Sequence, residues 1–241
     1  MKKVILLAVL ICLAIGSYGQ TSKQFENMGL VQEKRKNYAG AILDFTKAIK
    51  INPRNIYLYG YRGLDKEKLQ DYRGALADYN KMIGLDPKWD IAYSFRAGAK
   101  LALGDDLNGA MSDYKMAIEL KPNSYNYYSE GLAFADYLFL YDLAVKDFNI
   151  AIEMNPKNAD AFRDRGRIKC DIKNSLNYDF AGGMEDLNKA IELDPNNAGS
   201  FYIRGSVKHR MGDKEGACLD WSKAGELGEA EAYDMIKEYC N

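Results

Sequence analysis

The chain has 241 residues, enough for one substantial domain or two small ones. At 47% hydrophobic and 28% charged, with 5 prolines and no low-complexity run, it has the composition of a folded protein. The formal net charge is −1 and basic residues alternate with acidic ones, which argues against nucleic acid as a main partner, because phosphate neutralisation needs a positive face.

The first nineteen residues differ from the rest. Lys2 and Lys3 precede an apolar run of 12 residues from Val4 to Ile15, and Gly16-Ser17-Tyr18-Gly19 supplies small residues before a cut at Gln20. This is the pattern of a secretory signal peptide. A membrane anchor is the rival reading, but the run falls short of the roughly 20 residues a spanning helix needs. Cys12 raises a lipoprotein reading, against which Ile11 is too large for the residue before a lipidated cysteine. The expected product is exported: periplasmic, envelope-associated or secreted, with no integral membrane segment after cleavage.

From Ser22 onward the sequence repeats. Prolines 53, 87, 122, 156 and 195 are spaced by 34, 35, 34 and 39 residues. Twelve residues before each stands a small residue: Ala41, Ala75, Ala110, Ala144 and Gly183, with Ala217 as a sixth. Four residues on comes a bulky one (Phe45, Tyr79, Tyr114, Phe148, Leu187, Trp221), and three further another apolar one (Ala48, Met82, Ala117, Ala151, Ala190, Ala224). Positions i, i+4 and i+7 share one helix face. Upstream, aromatic-x-x-Arg-Gly or a variant recurs, as at Tyr59 to Gly63 and Phe201 to Gly205. A helical glycine costs about 1 kcal/mol against alanine, so its recurrence implies close packing of a partner helix.

These residues resemble the tetratricopeptide repeat (TPR), a helix–turn–helix unit with a period of 34, and in particular exported bacterial members. Phe25, Gly29, Tyr38, Ala41, Phe45, Ala48 and Pro53 carry the pattern in the first unit. The resemblance implies an all-α, right-handed superhelical solenoid of six units: 22–55, 56–89, 90–124, 125–158, 159–197 and 198–228. Gly104 and Gly212 read as left-handed helix ends, and Asn-Pro or Asp-Pro pairs stop the second helices. Residues 229–241 read as a C-terminal capping helix with Ala232, Met235, Ile236 and Tyr239 on one face. Cys218 and Cys240 stand where a disulfide would close that cap. The alternative is that Cys170, Cys218 and Cys240 are buried thiols.

What recurs in every unit is scaffold. Asp44, Asp78, Asp113, Asp147, Asp186 and Asp220 precede the bulky residue, and Arg62, Arg96, Arg165 and Arg204 recur on the first helices. Asp–Arg pairs along the helix seams are expected. The fourth unit departs, with Glu130 for arginine, Phe134 for the lysine of other units, and seven aromatics between Tyr125 and Tyr141. The fifth carries about five extra residues within 171–179.

The resemblance places the first helices on a concave groove. Its facing positions include Tyr57, Tyr61, Phe95, Tyr125, Tyr128, Arg163, Arg167 and Tyr202, with His209 and Arg210. Tyrosine and arginine are enriched at binding hot spots, although 18 tyrosines make coincidence a rival. A chaperone-tail clamp is not supported, because Glu26, Leu30, Tyr61, Ile91 and Phe95 stand where its lysines and asparagines would be.

No catalytic arrangement is legible. The chain has one histidine, no phosphate loop, no nucleophile elbow and no zinc spacing. Ser112-x-x-Lys115 lacks companion motifs. No metal and no cofactor are implied. The expected function is a non-catalytic scaffold that binds a protein or peptide segment in the groove. The alternative is a glycan or small-molecule binder using tyrosine faces.

Overall fold

The computed structural model describes residues 21–171 and 179–240. The signal-like segment 1–19, with Cys12, lies outside them, as does most of the insertion between 171 and 179. Thirteen helices and no strand occur among the described residues. They are α1 (Ser22–Lys34), α2 (Tyr38–Ile51), α3 (Ile56–Lys68), α4 (Tyr72–Leu85), α5 (Asp90–Leu103), α6 (Leu107–Leu120), α7 (Ser124–Asp136), α8 (Tyr141–Met154), α9 (Ala159–Lys169), α10 (Phe180–Leu193), α11 (Ala198–Arg210), α12 (Lys214–Glu226) and α13 (Glu231–Tyr239). The odd-numbered helices up to α11 are the first helices of six helix–turn–helix repeats.

The chain divides into two compact bodies, one ending at Leu103 and the other starting at Gly104. In the N-terminal body, α1 to α5 pack each against the next. Its core is built from Phe45, Leu58, Tyr59, Tyr79 and Met82, interleaved with the alanines of the small positions. In the C-terminal body, α7 pairs with α8, α9 with α10 and α11 with α12. Phe148, Leu187 and Trp221 are the buried centres of three successive clusters.

The recurrent glycine is explained by contact. A Cβ added at Gly63 would lie 2.4 Å from Tyr79 Cε1, at Gly29 2.6 Å from Phe45, at Gly131 2.7 Å from Phe148, and at Gly205 2.8 Å from Trp221. In each pair, the ring of the second helix lies on the bare backbone of the first.

The turns follow a second rule. Asn37, Asp71, Asp106, Asp179 and Asp213 cap the second helices, their side chains accepting from the N–H groups of Gly40, Gly74, Gly109, Gly182 and Gly216. Gly104 and Gly212 adopt φ of 73° and 86°, in the left-handed region. The fourth repeat breaks the rule. Leu140 is its cap residue and provides no side-chain hydrogen bond. Phe139 holds φ of 54° with 65% of its surface exposed.

The seam between paired helices is polar but satisfied. Arg62 grips Asp78 with Nε at 3.0 Å and Nη2 at 2.5 Å, and Lys66 adds Nζ at 2.8 Å. Arg165 and Lys169 hold Asp186, and Arg204 and Lys208 hold Asp220, in the same way. Each arginine also donates to the side chain after the previous repeat's bulky residue: Thr46, Asn149 or Asn188. It lies over the aromatic ring three residues earlier, Tyr59, Phe162 or Phe201. The expected pairing does not extend to every repeat. Asp44 pairs with Lys47, because Met28 stands at the first repeat's arginine position. Asp147 has no such pair, because Glu130 stands at the fourth's.

Helix α13 packs on α12, laying Ala232, Met235, Ile236 and Tyr239 against the Trp221 cluster. The Sγ atoms of Cys218 and Cys240 are bonded at 2.04 Å, tying the two helices together. Cys170 is a free, buried thiol, which burial pushes up to about 11. His209 sits against the rings of Trp221 and Tyr239, so the single imidazole is part of this end's packing.

In an isolated helix, Gly63→Ala would gain about 1 kcal/mol. Here the fully buried Tyr79 ring has no room to retreat, and a net loss of about 1–3 kcal/mol is expected in urea unfolding. Unchanged or higher stability would mean that the ring contact does not fix the helix spacing.

Candidate functional site

In the N-terminal body, Tyr57, Tyr61 and Leu64 fall at i, i+4 and i+7 on α3, while Ile91 and Phe95 fall at i and i+4 on α5. Together with Met82 and Trp89 they line a cavity of about 170 Å³ whose wall is entirely apolar. Trp89 meets Tyr57 edge-on, with ring centroids 5.0 Å apart. Tyr61 stacks on Phe45 at 5.4 Å, and Phe95 leans on Tyr79 at 5.4 Å. The core rings therefore anchor the inner wall, and Tyr57, 55% exposed, forms the rim.

In the C-terminal body, Tyr125 and Tyr128 line a depression of about 630 Å³ with Asn123, Asn158 and Asp160. It is a polar site. The Tyr128 hydroxyl donates to Asp164 Oδ2 at 2.9 Å. Arg163 binds Asp164 and Asp160, and its Nη2 lies 3.4 Å from the Tyr128 hydroxyl. Burial, and then the neighbouring Asp164 carboxylate, push the Tyr128 phenol well above its ordinary range, so it remains a hydrogen-bond donor.

The sequence-based site residues thus separate. Tyr57, Tyr61 and Phe95 come together in one pocket, and Tyr125 and Tyr128 in another depression beside Arg163. Arg167 stands apart, donating to Asp136 at 2.8 Å with Nε 3.7 Å from Asp164. Tyr202 packs in the terminal cluster against α13. Its phenol is raised by burial and then by Glu231, Glu229 and Asp234. Both guanidinium groups of the expected hot spots, Arg163 and Arg167, are already held by carboxylates of their own body.

Sequence reasoning missed two features. Trp89 belongs to the turn between repeats, outside the first-helix register that singled out the other wall residues. Asp65 is 2% exposed, with Oδ2 unpartnered. Burial, and then Glu33, push its carboxyl up to about 7. The corresponding residues of the other repeats are Val31, Ala99, Ala133, Ile168 and Val207, all apolar, and comparing that column would have exposed it. In the fourth repeat, burial and then Asp147 push Glu130 up to about 7, while burial pushes Asp147 up to about 6. Among the described residues, no His, Cys, Asp and Glu group is placed to hold a metal ion, and no helix is long and apolar enough to cross a membrane.

A tetratricopeptide-repeat family model matches residues 12–55. A tetratricopeptide repeat protein of Parabacteroides merdae superposes with a TM-score of 0.72 at 21% identity, covering 94% of this chain and 87% of that one. The chain has the tetratricopeptide-repeat fold. Yeast Tom70 shares this fold with a TM-score of 0.73 at 19% identity over 91% of this chain, which spans only 47% of Tom70. YrrB, described as a TPR protein with an unusual peptide-binding site, superposes at 0.50 and 21% identity over 80% of this chain and 97% of its own. Among curated proteins, no sequence matches significantly. As a TPR scaffold, the protein belongs to a class of folds that is usually non-catalytic.

The buried Asp65 sets a pH dependence. Its carboxyl ionises near 7 in the folded protein and near 4 in the unfolded chain. Its contribution is therefore fully present below about pH 4 and is lost as pH rises through 7. Asp65→Val should flatten that slope and raise stability at pH 8 by about 1–3 kcal/mol. Urea unfolding at pH 5 and pH 8 measures both, and equal slopes in the two proteins would exclude Asp65 as their source.

Proposed function

We propose that the protein is a non-catalytic scaffold that holds a segment of a partner protein on its first-helix faces. A large apolar side chain of that segment enters the pocket of Tyr57, Tyr61, Trp89 and Phe95. The observation that carries this reading is that pocket: aromatic, apolar throughout, braced from behind by core rings and open at an exposed tyrosine. Pockets of this kind anchor aromatic or branched side chains and supply most of an interface's energy. Tyr61, Ile91 and Phe95 stand where chaperone-binding relatives carry a carboxylate clamp. Their chemistry suits an internal apolar side chain instead of a C-terminal carboxylate. YrrB, with its peptide-binding site, is a precedent within the fold. A sugar would leave its hydroxyls unpaired against this wall, at a cost of about 1–3 kcal/mol each.

The proposal includes export across a membrane. The Lys2–Gly19 pattern and the Cys218–Cys240 disulfide, which suits an oxidising compartment, support it.

Peptides selected from a random displayed library on the full chain should converge on a large apolar residue. Tyr57→Ala should weaken the selected peptides at least about tenfold, a loss of about 1.4 kcal/mol. Thermal unfolding should be unchanged, since Tyr57 is mostly exposed. Equal affinity for the variant would remove the pocket from the binding site.

Fractionation of expressing cells tests the second part. The expected product is outside the cytoplasm and begins at Gln20. Full-length protein confined to the cytoplasm would overturn export.

A further inference from the structure

The fourth repeat keeps the seat of a seam arginine but lacks the arginine. In the second, fifth and sixth repeats, the buried carboxylate of Asp78, Asp186 or Asp220 is engaged by a guanidinium and an ammonium group. Asp147 is its counterpart. It precedes Phe148, whose ring lies on Gly131 as Tyr79 lies on Gly63. It is likewise buried, at 7% exposure, yet its Oδ2 has no hydrogen-bond partner. The two cation positions hold Glu130 and Phe134. The aromatic position over which the arginines of the other repeats lie is retained as Tyr127. The arginines of the neighbouring helix α9 are committed to other partners. Arg165 bonds Asn149 and Asp186, Arg163 bonds Asp160 and Asp164, and Arg167 bonds Asp136. Lys146 lowers the Asp147 carboxyl only in part and makes no ion pair with it among the described contacts.

The neighbouring turn is unusual in the opposite sense. Tyr137, Phe139, Leu140 and Leu143 are exposed where other repeats place a polar cap and a small or polar left-handed residue. A bulky residue in the left-handed region is strained, and the missing cap leaves a helix-end N–H without its usual side-chain acceptor. The positions are aligned. The cap residue Leu140 precedes Leu143 and Asp147 of α8 at i, i+3 and i+7, and Glu130 and Phe134 of α7 precede its cap residue Tyr137 at i, i+4 and i+7. One strip of this repeat thus runs from an apolar turn to a pair of carboxylates lacking a cation.

We propose that this strip is a docking surface for a partner segment in which an arginine stands beside large apolar residues. The arginine completes the seam, bound by Asp147 and Glu130 beside Tyr127, and the apolar residues cover the Tyr137–Leu143 turn. Charge selects the cation, because two carboxylates face a place that three sibling repeats fill with positive groups. The fork of a guanidinium matches a carboxylate bidentately, as Arg62 matches Asp78. Engagement replaces carboxylate–carboxylate repulsion with ion pairs. The surface does not involve the Tyr57 pocket, so either proposal stands without the other.

The test uses the full chain and an acetylated, amidated peptide Leu-Arg-Phe-Lys. The control peptide carries citrulline and norleucine in place of the cations. Binding is followed by amide chemical shifts. The expected result is a preference of at least about tenfold for the cationic peptide (about 1.4 kcal/mol), with shifts centred on residues 124–154. Asp147→Asn should remove the preference. So should the double change Glu130→Arg with Phe134→Lys, which installs the repeat's own cations and should raise the unfolding temperature, so that lost binding there is not lost folding. Tyr57→Ala should leave the preference intact. Equal binding of the two peptides, or an undiminished preference in the double variant, overturns the proposal. Binding to phosphatidylglycerol vesicles through the turn without arginine preference overturns it in favour of a lipid surface.

Discussion

The contact on which this structure depends is an aromatic ring lying on a glycine. Tyr79 covers Gly63 so closely that no Cβ fits between them, and Phe45, Phe148 and Trp221 do the same to Gly29, Gly131 and Gly205. Each contact fixes the distance between paired helices. It also fixes what stands beside it. The residue before the ring is an aspartate and, in most repeats, the residue before the glycine is an arginine, so close packing brings Asp78 to Arg62 and Asp220 to Arg204. Burying a carboxylate costs several kcal/mol unless it is well paired. Two cations, one of them bidentate and lying over an aromatic ring, supply that pairing. The polar seam is therefore a consequence of the apolar contact, and it penalises any slip of one helix along the other.

Because the geometry repeats, a departure has a defined cost. Asp65 places a carboxylate in a column of aliphatic residues, and burial raises it to about 7. Glu130 removes the seam's arginine and leaves Asp147 unpaired. Leu140 gives up the cap that Asn37, Asp71, Asp106, Asp179 and Asp213 provide elsewhere. None of these improves folding. Local rules broken without local compensation are where function is expected in an otherwise consistent fold. Two of the three fall together in the fourth repeat.

The helices, their order and their ends were legible because the forces that set them are local. A left-handed glycine at a helix end and a proline after a helix act within a few residues, and the recurrence of the unit makes them visible. Side-chain partners were less legible. Arg163 and Arg167 carry the hot-spot residue type, but their carboxylates come from Asp160, Asp164 and Asp136, partly on another helix, and no spacing along the chain announces that they are engaged. Trp89 completes the apolar pocket from a turn between repeats, outside the helical register that found Tyr57, Tyr61 and Phe95. The expected Asp–Arg pairs are present at Arg62, Arg165 and Arg204, and the departure at Glu130 was visible. Its consequence for Asp147 required knowing that the carboxylate stays buried when its cations are gone.

The division of labour along a first helix explains how one scaffold can offer two recognition chemistries. On α3, Gly63 and Arg62 are committed to the second helix, while Tyr57 and Tyr61 lie on a face that the seam does not need. Tyr57, more than half exposed, can vary without disturbing the ring–glycine contact, and with Tyr61, which stacks on Phe45, it forms part of an apolar pocket. On α7 the committed positions themselves have changed. Gly131 still receives Phe148, so the helices keep their spacing, but Glu130 no longer serves the seam. The contact that sets the architecture and the ion pair that accompanies it are therefore separable. The first must be kept for the repeat to exist. The second can be given up, and in the fourth repeat, which gives it up, a buried carboxylate is left without the cations its counterparts have.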